Sequence, residues 1–120
     1  MAKHNELGTK GEDAAVDYLK TQLHQILVRN YRYGRAEVDI ISKDGKAIVF
    51  TEVKTRSTHA FGYPEEFVDK KKRQQMKRVA EEYMYQLKED AEIRFDIISI
   101  SHEKGELKVY HIKDAFFHEG

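Results

Sequence analysis

The sequence predicts an α/β domain with its elements in the order α-β-β-β-α-β-β and a sheet covered by helices on both faces. Three observations carry this expectation. The segments "EVDIIS" and "AIVFTEVKT" are apolar on both parities, the pattern of strands buried on two sides. Met76, Val79, Ala80, Tyr83 and Leu87 form an apolar stripe at i, i+3, i+4, i+7 and i+11, which marks a helix between these strands and two later ones. A length of 120 residues, with one proline and seven glycines, suits a single domain over 1–120 with little low-complexity sequence.

Thr9, followed three residues later by Glu12, reads as a capping box, and Ala15, Leu19, Gln22 and Leu23 continue at helical spacing. A first helix is therefore expected from about residue 10 to 23. "QILVRNYRY" alternates, with Ile26, Val28 and Asn30 on one side, and its β-branched and aromatic content favours a strand. After a loop at Gly34 come the two apolar strands, joined by "KDGK" with Asp44 and Gly45 at a two-residue turn. "STHAFGYPEEFV" reads as an irregular loop, and the second helix spans 65 or 69 to 88. "IRFDIISIS" and "LKVYHI", linked by "HEKGE", close the order as strands.

Composition narrows the function classes. No apolar run approaches the roughly 20 residues needed to cross a bilayer, so no membrane is expected. The opening "MAKHNELGTKGE" has no apolar signal segment, and the cytoplasm is the expected location. Absence of cysteine excludes disulfides and thiolate sites, and the six histidines lack paired ligand spacing, which argues against zinc. Lysine plus arginine equal aspartate plus glutamate at 21 each, so net charge gives no pointer to a nucleic acid. Charge is nevertheless segregated: "KKKRQQMKR", 70 to 78, holds six basic residues and no acid.

The stretch "AEVDIISKDGKAIVFTEVKTR" carries the chemistry. With Asp44 and Gly45 at the turn, counting outward pairs Asp39 with Phe50 and Glu37 with Glu52, and puts 37, 39, 50, 52 and 54 on one face. Asp39 and Glu52 become diagonal neighbours. Two carboxylates at about 6 Å repel by roughly 3 kcal/mol at an effective dielectric of about 20. That is a sizeable part of a domain's roughly 5–15 kcal/mol stability. Lys54 is one compensation; a hard cation such as Mg²⁺ or Mn²⁺ is the other. Such a cation polarises a phosphodiester and acidifies a water, while an ammonium beside it orients that water or steadies charge on phosphorus.

Asp39, twelve intervening residues, then Glu52-Val53-Lys54 within this element order resembles the PD-(D/E)XK nuclease motif. Nearly the whole chain resembles the YraN family of bacterial proteins, themselves similar to archaeal-type Holliday-junction resolvases. The matching pieces, in order, are "GTKGEDAAVDYL", "NYRYGRAEVDII", "VFTEVKTRS", "FGYPEE", "KKKRQQMKRVAEEYM", "RFDIISI" and "IKDAF". The resemblance implies a restriction-endonuclease-like core with a central mixed sheet. It implies metal ligation by Asp39, Glu52 and Glu12, a further oxygen from the Val53 carbonyl, and Lys54 as the catalytic lysine. Glu37 matches an accessory acid. Val38 stands where the motif names proline, a departure common in the family, and Arg35 and Ala36 replace glycines that usually adjoin the Glu37 position.

Each feature has a plainer reading. Glu12 also serves as the capping acid of its own helix. Glu37 also reads as a strand residue reaching solvent. Asp39 gains nothing structurally inside an apolar strand, because Asp disfavours strands. Glu52 and Lys54 would make an edge-strand ion pair worth about 0–1 kcal/mol, but apolar residues on both faces argue against an exposed edge. The cations at 70 to 78 read plainly as a solvated helix start that opposes the helix dipole; phosphate contact by Lys72 and Arg73, with Arg56 after the catalytic strand, would explain tolerating them. Tyr31, Tyr33 and Tyr63 read as base-stacking residues or as packing. The sequence therefore predicts a metal-dependent endonuclease acting on DNA, with branched or structured DNA as the candidate substrate; two-fold substrates such as junctions would suit a homodimer. Its rivals are a non-catalytic nucleic-acid-binding module of the same fold, and an interaction protein whose acids bind a basic partner.

Overall fold

The computed structural model describes residues 2–56 and 68–116, with side chains from Lys10 onward. The elements are α1 (Ala2–Thr21), β1 (Gln25–Tyr33), β2 (Ala36–Asp44), β3 (Ala47–Arg56), α2 (Lys70–Leu87), β4 (Glu92–Glu103) and β5 (Glu106–Ile112). This is the α-β-β-β-α-β-β order expected. The five strands form one mixed sheet in sequence order, antiparallel throughout except for the parallel β3–β4 pair. A parallel pair needs a crossover, and α2 supplies it. The expected loop over 57–67, Tyr63 with it, lies outside the described residues. Among the described residues no helix is long and apolar enough to cross a membrane.

Each face of the sheet buries one helix. The α2 stripe of Met76, Val79 and Ala80 packs on Val38, Ile41, Ile48, Phe50, Phe95 and Ile97, with Tyr83 and Leu87 at its margin. On the other face Ala15, Val16 and Leu19 of α1 cover Ile40, Ile98 and Ile100. Alternate residues of β3 and β4 thus feed opposite clusters, which is why both strands read as apolar on both parities. Asp69 caps α2, its Oδ1 accepting from the Lys72 N–H at 2.8 Å.

Four local expectations need correction. Thr9 does not cap α1, whose backbone is helical from Ala2; the proline-free run "AKHNEL" continues the helix past it. The same helix stops at Thr21 rather than at 23. Leu23, 87% exposed, takes a left-handed φ of 67° while Leu23 N bonds Lys20 O and His24 N bonds Leu19 O. Those two bonds make a Schellman closure.

In β1 a bulge between Ile26 and Val28 breaks the alternation, so Ile26 packs with the α1 cluster and Val28 with the α2 cluster. The β2–β3 turn holds Gly45 and Lys46, closed by an Asp44–Ala47 pair, rather than Asp44 and Gly45. Gly45 has φ 60° at the first central position, as a type II′ turn requires. Asp44 stays in its strand because its carboxylate is held by Arg94 Nη1 at 2.9 Å.

α1 lies close against β3 at Gly11, where an added Cβ would collide with Thr55 Oγ1. Alanine normally gains about 0.5–1 kcal/mol over glycine inside a helix. Here overpacking should outweigh it, and Gly11→Ala is expected to destabilise the fold by about 1–3 kcal/mol in a urea melt. A stabilised variant would show that α1 can lift away from Thr55 at little cost.

Candidate active site at the parting of strands 2 and 3

The β2–β3 ladder runs from Asp44–Ala47 to Ile40–Thr51 and pairs no further. One step beyond that last pair, Asp39 comes in line with Glu52. The two-residue turn preserves the expected parity, while its displacement by one position turns diagonal neighbours into facing ones. Past the end of the ladder, the Val53 N–H donates to Asp39 Oδ2 at 2.7 Å, a side chain taking the place of a strand carbonyl.

β2 is itself irregular here. Ala36 and Val38 lie against the α2 cluster, and so does Ile41, whereas Ile40 lies against α1. The alternation slips around Asp39. Opposite it in β1, between the Arg29–Ile40 and Tyr31–Val38 pairs, Asn30 adopts φ 55°. An aspartate that would be a poor strand residue sits where the strand departs from regularity.

Glu52 is buried, at 5% exposure, on the α2 face of β3. Its Oε2 lies 3.4 Å from Lys54 Nζ and its Oε1 lies 3.5 Å from Lys72 Nζ. Oε1 is buried and has no hydrogen-bond partner. Burial first, and then the neighbouring Glu52 charge, push the Asp39 carboxyl up to about 8, against the opposing Val53 hydrogen bond. A hydrogen bond shared between the two carboxyl groups adds to that rise, and the pair offers adjacent hard-oxygen donors of the kind that Mg²⁺ or Mn²⁺ takes.

The other expected residues go elsewhere or play another part. Glu12 Oε1 accepts from Arg29 Nε at 3.0 Å and Asn30 Nδ2 at 3.1 Å, on the helix that packs over the opposite face. Among the described residues no three His, Asp or Glu side chains gather into a group able to hold a metal. The Glu37 carboxylate turns to Arg32 Nε at 2.9 Å, and only its main-chain oxygen faces the acids' surroundings, accepting from Lys72 Nζ at 3.0 Å. Lys72 therefore stands at the acid pair. Arg73 donates its Nε to Val68 O and lies over the Phe116 ring, 5.6 Å from its centroid. With Lys70 and Lys77 it lines a cleft of about 520 Å³ on the flank of α2. Arg56 ends β3, half-buried.

Sequence reasoning missed a second polar cluster, on the α1 face. Asp96, fully buried, accepts from Arg94 Nε (2.9 Å) and Nη2 (3.0 Å) and from the Asp114 N–H (3.0 Å), and lies 2.6 Å from His111 Nε2. Burial alone would raise its pKa, but the hydrogen bonds from His111, Arg94 and Asp114 outweigh that and hold it below the usual value. His24, bonded to Ser42 Oγ at 2.8 Å, is lowered by burial despite Asp44 nearby. The available signal was the one that flagged Asp39: an aspartate inside an apolar strand.

Comparison with known proteins comes to one family. The Uncharacterised protein family UPF0102 matches residues 11–100. A UPF0102 protein of Christiangramia forsetii is 51% identical over 118 residues, covering 98% of this chain and 99% of its own. One from Bacteroides thetaiotaomicron is 45% identical over 117 residues (98% and 97%), and one from Prosthecochloris aestuarii 42% over 122 residues (96% and 96%).

The two aspartates should respond oppositely to amidation. The folded Asp39 carboxyl keeps its proton up to about 8 whereas an unfolded one releases it near 3.8, so between these values the folded state binds more protons and stability falls as pH rises. In EDTA, Asp39→Asn is expected to stabilise the protein at both pH 5 and pH 8, by roughly 2–4 kcal/mol more at pH 8. Asp96→Asn should instead destabilise it by about 3–5 kcal/mol at pH 8, as for any broken buried ion pair. Urea melts at the two pH values check both; an Asp39→Asn variant less stable than wild type at pH 8 would contradict the raised pKa.

Proposed function

We propose that this chain, which belongs to the UPF0102 family, is a metal-dependent endonuclease that hydrolyses DNA phosphodiester bonds, with branched or structured DNA as its substrate class. The observation that carries this reading is the juxtaposition of the Asp39 carboxyl with the buried carboxylate of Glu52, beside Lys54. A pair so costly in an empty fold is best explained by a ligand that recovers the cost. The resemblance to PD-(D/E)XK nucleases and junction resolvases points the same way.

Asp39 and Glu52 would hold Mg²⁺ or Mn²⁺, which supplies Lewis acidity toward a phosphoryl oxygen and a more acidic water. Lys54, on the strand position two beyond Glu52, presents its ammonium to the same region; it orients the attacking water and offsets negative charge gathering on phosphorus. The water oxygen forms a bond to phosphorus, the bond to the leaving oxygen breaks, and that oxygen takes up a proton. Lys70, Arg73 and Lys77 give the flank of α2 a cleft with three cations and one acid, Asp114, in its lining, a net positive surface that would suit phosphates. The homodimer that a two-fold junction would suit belongs to the same proposal.

One observation favours the rival reading, a nucleic-acid-binding module without catalysis: Glu12, the third acid, is engaged by Arg29 and Asn30. Two acids then form the whole candidate set. The readings separate on incubation with four-way junction, flap, single-stranded and duplex DNA in Mg²⁺ or Mn²⁺. Cleavage is expected, abolished by Asp39→Ala and slowed about 10²- to 10³-fold by Lys54→Ala, the range for loss of one charge-stabilising group. Binding without cleavage favours the module, and cleavage that survives Asp39→Ala refutes the site.

A further inference from the structure

We propose that Lys72 is the resident counter-cation of Glu52, and that a divalent cation entering the acid pair must displace it. The inference rests on the metal site proposed above and adds a control on its occupancy. Lys72 stands outside the acid-acid-lysine motif and reaches the site from the first turn of α2, across the sheet face from β3.

Three observations distinguish it from a surface ion pair. The Glu52 side chain is 7% exposed, so water screens the contact poorly. The ammonium is directed at Oε1, the one Glu52 oxygen that is buried without a hydrogen bond. Its distance, 3.5 Å, exceeds the roughly 2.7–2.9 Å of a charge-assisted hydrogen bond.

The reason for that distance is local. Lys72 Nζ makes its hydrogen bond to Glu37 O at 3.0 Å, and the Lys72 backbone is pinned by the Asp69 cap. The ammonium is therefore parked where it offsets the charge of Glu52 without itself hydrogen-bonding Oε1. A cation bound inner-sphere to Oε1 and an ammonium facing the same oxygen are like charges competing for one acceptor. Lys54, on Oε2, faces the other oxygen and does not compete in the same way. Lys72 is thus a positioning residue: it keeps the acid pair tolerable in the metal-free fold and sets a threshold for metal entry.

Calorimetric titration with Mn²⁺ of wild type, Lys72→Gln and Lys72→Arg tests this. Glutamine retains an N–H donor for Glu37 O but removes the charge, whereas arginine retains the charge. Lys72→Gln is expected to bind Mn²⁺ about tenfold tighter than wild type and to melt at a lower temperature in EDTA; Lys72→Arg should stay within about twofold of wild-type affinity. Equal or weaker binding by Lys72→Gln overturns the inference and leaves the metal site standing. If no variant nor wild type binds Mn²⁺, the metal reading itself fails. A metal-free check is independent of that result. Lys72→Gln combined with Glu52→Gln should melt above Lys72→Gln alone in EDTA, and no recovery would refute the pairing.

Discussion

The hydrogen bond from the Val53 N–H to Asp39 Oδ2 marks the place where β2 stops pairing with β3. A buried strand amide must find an acceptor, and once the ladder has ended only a side chain can supply one. That requirement draws the Asp39 carboxyl across to β3 and sets it against Glu52. Much of the site's electrostatics follows: a carboxyl half removed from water, one backbone donor, and a second acid alongside.

Asp39 and Asp96 show how one strand pattern can carry two opposite roles. The two stand in nearly the same setting, "VDIIS" and "FDIIS", each in a strand apolar on both parities. Asp96 accepts two bonds from Arg94 and one from the Asp114 amide, with His111 against it, and its pKa falls. Asp39 accepts one backbone bond beside an acid, and its pKa rises. A strand aspartate can thus be a structural anchor or one of a pair of crowded acids, and the difference is made by Arg94 two residues from Asp96 together with partners 13 to 18 positions away in sequence. Perturbed carboxyls are concentrated at functional sites, but the direction of the perturbation carries the distinction here.

What the sequence made legible was periodicity and parity. Both-parity apolar strands implied helices on two faces, and Met76, Val79 and Ala80 sit in the core where the helical stripe puts them. The grouping of Asp39 with Glu52 needed only a two-residue turn, so an error of one position in the turn left it intact. What stayed illegible depended on distant partners. Nothing near Asp44 announces that Arg94 will hold it in its strand, and nothing near Glu12 announces Arg29 and Asn30. Leu23 completes a helical stripe by spacing, yet the Schellman closure turns it into solvent, since the bonds to Leu19 and Lys20 outweigh the burial of one side chain.

The two lysines of the site are distributed unevenly, and the imbalance bears on what the site is for. Lys54 and Lys72 both address Glu52, one at each oxygen, whereas Asp39 takes its one backbone hydrogen bond from an uncharged amide and feels Lys72 only as a weaker, more distant charge. A fold selected only for stability would be expected to set an ammonium against the acid that lacks one, or to place an apolar residue there, since replacing buried charges by packed hydrocarbon is often neutral or favourable. Instead Asp39 stands within reach of Glu52, and the cost falls on the proton that Asp39 retains. A group bringing positive charge between the acids would release that proton and recover the cost on Asp39, while Lys54 and Lys72 already moderate Glu52. The asymmetry therefore favours a cationic ligand over a permanent structural ion pair as the reason for the cluster.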